Sequence, residues 1–205
     1  MSQSSHQIEN DVRETLESGV DIYQRVRTIT LRALTERELD MDNIKSVVEA
    51  AFKGISAGMS GQYEPAKSAF TEAVSAIDDA LEKTAEASKL AIEEAASRVS
   101  EFSHHDLNQA TDELKNLEKI FLETIEKVTH GGNEMILEIA RNFIDHARRN
   151  GTAVGRQSQA ALETLNNVRL KGQNAVATTT SILAKIGSGI LTGIAESLDP
   201  DKPAK

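Results

Sequence analysis

EPAKSAFTEAVSAIDDALEKTAEASKLAIEEAASRVSEFSHHDLNQATDELKNLEKIFLETIEKV, residues 64–128, decides the fold. In its first part Ala69, Phe70, Ala73, Val74, Ile77, Leu81, Ala85, Ser88, Ala91, Ile92, Ala95, Val99 and Phe102 recur at steps of three and four, which aligns them on one helix face. Pro65 suits a first helical turn, where its missing N–H is no loss. Small residues along much of this face let a neighbouring helix approach closely, while Phe70, Ile77, Leu81 and Ile92 are the anchors and a candidate interaction surface. Ser103 with Asp106 has the form of a cap, so a helix restart and a hinge are expected there. Beyond it Leu107, Leu114, Leu117, Phe121, Ile125 and Val128 keep near-heptad spacing, a coiled-coil-like packing seam.

The flanks read the same way. Ile8, Val12, Leu16, Val20, Tyr23, Val26 or Ile29, and Leu34 trace one apolar face, interrupted by Gly19. Asp42 is placed to cap a second, shorter helix with Ile44, Val47, Val48, Ala51, Phe52 and Ile55 on its face, and GISAGMSGQYEP from Gly54 is expected to end it. After residue 130, Gly131 and Gly132 stop the seam helix and Asn133 caps MILEIARNFIDHARR, with Met135, Ile136, Ile139, Ala140, Phe143 and Ala147 inward. Gly151 and Thr152 repeat the stop and cap ahead of Val154, Ala161, Leu162, Leu165 and Val168. The last apolar face, Ile182, Leu183, Ile186, Ile190, Leu191, Ile194 and Leu198, carries Gly187, Gly189 and Gly193 between its anchors. Such a segment either packs against another helix or lies on a lipid or hydrophobic polymer surface.

These patterns predict an all-α protein of five or six helices, an elongated bundle or a set of coiled-coil-like hairpins. Its expected parts are a helical pair over 1–61, a long acidic pair over 62–132, C-terminal helices over 133–198 and a frayed tail over 199–205. Hydrophobic residues make up 39% of the chain but aromatics only 3%, so much of the apolar count is alanine, which buries little surface. Thin seams of this kind leave burial for a second copy or a partner, and a homo-oligomer is expected.

Composition also narrows function. A formal net charge of -9 disfavours nucleic acid as a partner, since counterion release needs clustered Lys and Arg. The acid is concentrated in 62–132, with fifteen Asp or Glu against seven Lys or Arg. Zero cysteines exclude disulfides, thiolate metal sites and a cysteine nucleophile. The opening MSQSSHQIENDVRE has no basic-then-apolar pattern and no apolar run reaches a membrane span, so a cytoplasmic protein without signal peptide or transmembrane segment is expected.

No catalytic constellation stands out. Glu101 and His104 have the i, i+3 spacing used in di-iron bundles, but the second such motif and further carboxylates are missing. His130 and His146 sit at expected helix C-termini, where positive charge is favourable. GISAGMSG lacks the lysine of a phosphate-binding loop, and no Ser, His and Asp fall in a triad order. The chain reads as a non-enzyme without catalytic, cofactor or metal residues.

EASKLAIEEAASRVSEF followed by DLNQATDELKNLEKIFLETIEKV, in a chain lacking Cys and Trp, resembles the phasins, helical coats of bacterial polyhydroxyalkanoate granules. The same blocks with HARRNGTAVG also look like a bacterial family of helical proteins without assigned function. The phasin resemblance implies a granule-associated coat that presents Phe70, Ile77, Leu81, Ile92, Ile182, Leu183, Ile186, Ile190, Leu191 and Ile194 to an apolar surface. The alternative expectation is an oligomeric bundle scaffold that binds a protein partner.

Overall fold

Local periodicity becomes seven helices among the described residues of the computed structural model, which are 4–36, 40–59, 63–97, 104–130 and 134–169. They are α1 (Ser5–Ser18), α2 (Ile22–Thr35), α3 (Met41–Gly58), α4 (Tyr63–Ser97), α5 (His104–Thr129), α6 (Glu134–Asn150) and α7 (Ala153–Arg169). The fold is all-α. Ser103, Glu101 and Ile182, Leu183, Ile186, Ile190, Leu191 and Ile194 lie outside the described residues, as do the side chains of His104 and Leu107.

Gly19 does more than interrupt the first helix. It takes φ 65°, and its N–H closes α1 onto the carbonyls of Thr15 and Leu16, a left-handed stop that glycine adopts without a Cβ clash. Asp21 follows at φ 49°, so the chain re-enters α2 in a new register. Val20, expected on the apolar face, therefore falls outside both stripes and is 58% exposed, whereas Ile8, Val12 and Val26 are fully buried.

One further expectation is corrected and another is met. Asp40, not Asp42, caps α3, because its Oδ1 accepts the Asn43 N–H at 2.7 Å while Asp42 lies inside the first turn. The helix does end within GISAGMSGQYEP, at Gly58, after running through Gly54. Both glycines serve the packing of α1: a Cβ at Gly54 would lie 2.5 Å from the Glu9 carbonyl oxygen, and one at Gly58 2.6 Å from that of Arg13. Missing side chains let two backbones meet, and helix propensity yields to that contact.

Pairing skips a position along the chain. α1 packs chiefly on α3, α2 on α4 and α3 on α5, while α7 lies on α4 and α5. One apolar cluster draws on all seven helices. At its centre Phe121 of α5 meets Phe52 of α3 at 5.9 Å and Phe143 of α6 at 6.3 Å, and Phe143 meets Phe70 of α4 at 6.4 Å. α4, 35 residues and thus about 52 Å long, lays Ala73, Ala76, Ala80, Ala85, Ala87 and Ala91 fully into the interior. The cover that these thin seams call for is supplied by the chain's own helices.

Five hydroxyls on the buried faces are satisfied within their own helices. Thr15, Thr30, Thr84, Ser88 and Thr129 each donate to the carbonyl four residues earlier, at 2.6 to 2.9 Å. Among the described residues no helix is long and apolar enough to cross a membrane.

Candidate functional site

The most developed polar arrangement is where α7 begins. Gly151, at φ 75°, turns the chain after α6, and Thr152 caps α7 by accepting the Gly155 N–H on Oγ1 at 2.9 Å. Two carboxylates from other helices then receive the start of α7. Asp78 of α4 accepts the N–H of Ala153 at 2.7 Å on one oxygen and that of Val154 at 2.9 Å on the other. Glu118 of α5 accepts the Thr152 N–H at 3.1 Å and its hydroxyl at 2.7 Å. Open N–H groups and the positive end of the helix dipole explain why acids stand here.

Burial pushes the Asp78 carboxyl pKa above its usual value, against the lowering effects of the Val154 and Ala153 N–H groups and of Arg156, with Glu118 adding to the rise. A carboxyl raised in the folded state makes its ionised form a burden on that state. This burden is absent below the usual carboxylate value, grows as pH rises towards the raised value and is constant above it. We therefore expect wild-type stability, relative to Asp78→Asn, to fall as pH rises across that acid interval. Urea unfolding of both proteins at a series of pH values reads the difference, and parallel curves would contradict it.

Neither acid was singled out in the sequence, yet the signal is present. Asp78 stands four residues after Val74 and three before Leu81, and Glu118 four after Leu114 and three before Phe121. An acid at such a position lies beside the buried stripe of its helix, so it must meet a donor or remain at the stripe's edge.

A second polar group joins α2 to α4, where Arg27 pairs with Asp79. Burial foremost, then the neighbouring Asp79 charge, raises the Tyr23 pKa, and burial likewise raises that of Glu82. Between the end of α5 and α6 lies a cleft of about 190 Å³ lined by Glu126, Thr129, His130, Leu137, Arg141, Ile144, Asp145 and Arg148. Part of its lining is engaged structurally: a His130 ring nitrogen lies 2.6 Å from the Glu126 carbonyl oxygen, and Arg148 faces the Glu126 carboxylate at 3.6 Å. His146 lies in the last turns of α6, within reach of the Asn150 amide at 3.1 Å. Among the described residues no three His, Asp or Glu side chains are placed to hold a metal ion.

The expected site residues separate by location. Phe70, Ile77, Leu81 and Ile92 are interior, at 0 to 1% exposure, so contact with an outside surface through them requires the bundle to open. Leu114, Leu117, Phe121 and Ile125 are equally buried, and Val128 packs half-buried against the same cluster.

The fold and its polar joints define an all-helical bundle closed over its own apolar seams. The chain belongs to the family of unknown function DUF6781, whose sequence model matches residues 2–200. No curated protein and no solved structure matches it. Of the two likenesses read from the sequence, the one to a helical family without assigned function accords with this result, and the one to phasins receives no support.

Proposed function

We propose that this chain is a non-catalytic bundle scaffold that binds a protein partner through its charged outer faces while its core stays closed. The observation that supports this reading is the use of the apolar anchors: the large hydrophobic side chains exposed among the described residues are Val20 and Leu90. Such a described surface, with so little apolar area, selects partners by charge and shape, and the acidic central helices favour a basic face on the partner.

A granule or lipid coat is the second reading, favoured by one feature of α4. Its buried side is largely alanine, so each residue that leaves the interior forfeits little apolar burial, and the exchange of internal for external contacts is eased. Flotation of the purified full chain with phosphatidylcholine vesicles and with hydrophobic polymer particles separates the two. The scaffold reading expects the protein to stay at the bottom of the gradient with both. Co-flotation accompanied by loss of amide protection in α4 would replace it with the coat.

A further inference from the structure

Detachment of a helix is ordinarily opposed by the apolar surface it exposes. The first part of α7, whose side chains are described, is anchored differently. Between Ala153 and Glu163 its fully buried apolar side chains are Val154 and Ala161, and the other buried positions, Thr152 just before the helix and Ser158 within it, are polar. The Ser158 hydroxyl, 4% exposed as a residue, has no hydrogen-bond partner. Beside these stand the four hydrogen bonds from the start of α7 to Asp78 and Glu118. When α7 leaves, both carboxylates and the Ser158 hydroxyl recover water, so hydration offsets much of what the hydrogen bonds supply. From these contacts we infer that α7 is a releasable strap, which leaves α4 and α5 as a unit while α1 to α6 remain folded.

Two consequences are measurable. Once detached, α7 is a 17-residue helix with a glycine at its third position, close to the length below which isolated helices are marginal in water, so its amides lose protection. Gly155 supplies the second, because a Cβ there would collide with the Glu118 carboxylate. The clash is with the movable end of a side chain, so Gly155→Ala displaces Glu118 from Thr152 while favouring helix within α7 itself.

Hydrogen–deuterium exchange of the full chain, read by mass spectrometry on peptides from each helix, is the test. We expect α7 to exchange at least about tenfold faster than α1 and α3 in the wild type, and Gly155→Ala to widen that gap by about another tenfold with α1 and α3 unchanged. Exchange of α7 at the rate of α1 and α3 would overturn the inference. So would a Gly155→Ala protein in which α7 becomes better protected, as helix propensity alone dictates, or in which all helices accelerate together. Glu118→Gln, which retains the side chain's length and removes its charge, must also accelerate α7 selectively.

Discussion

Phe121→Ala is expected to lower the free energy of unfolding by about 4 kcal/mol, the middle of the range for removing a buried phenylalanine. Phe121 of α5 is fully buried in a ring cluster that joins four helices: it meets Phe52 on α3 and Phe143 on α6, which in turn meets Phe70 on α4. Its removal takes away transfer free energy, leaves a cavity at the crossing of these helices and breaks two aromatic contacts, each worth about 0.5–1.5 kcal/mol beyond area. Urea unfolding followed by circular dichroism measures the loss. A change below about 1 kcal/mol would mean that the cluster is not the centre of the core.

The double substitution Gly54→Ala, Gly58→Ala is the next largest effect, and its sign rests on two opposed magnitudes. Helix propensity alone favours alanine by about 1 kcal/mol at each position. Opposing this, the new methyl groups would meet backbone carbonyl oxygens of Glu9 and Arg13, together with Val12 and Leu16 Cβ atoms at 2.8 Å, and backbone cannot rotate aside as a side chain tip can. Overpacking at a single site costs about 1–3 kcal/mol, so two sites along one contact line outweigh the propensity gain and push α1 away from α3. The expected result is a net destabilisation of about 2 kcal/mol, with proteolysis beginning in α1. A double variant more stable than the wild type would show that α1 does not lie on these glycines.

These cases show where sequence reasoning held. Steps of three and four along Ile44 to Ile55 and along Leu114 to Val128 made helices legible, because the spacing is a property of the helix itself. The end of α3 within GISAGMSGQYEP is legible, but that Gly54 and Gly58 also thin the helix for α1 is not, since glycine carries the same local signal in either role and only the neighbour decides. The cap expected at Asp42 falls at Asp40, because residue type does not separate the two and only the reach of one carboxylate to the Asn43 N–H does. The candidate site was legible by halves. Gly151 and Thr152 announced the start of α7, but the acids that receive it come from helices 75 and 34 residues away in sequence, a relation no local pattern encodes. Which apolar seam meets which was also hidden, because apolar burial is non-directional and names no partner.

The order in which the helices pair bears on how this protein comes off the ribosome. With α1 resting on α3, α2 on α4 and α3 on α5, each of these first three helices waits for one made two places later. A nascent chain that ends at α2 therefore carries the apolar stripe of α1 without its main cover, and the stripe of α2 stays partly open until α4 emerges. Closure requires contacts well separated along the chain, which slows assembly relative to a bundle whose neighbours in sequence are its main neighbours in space. Early release of the polypeptide would thus leave a product with open seams, prone to associate with other chains.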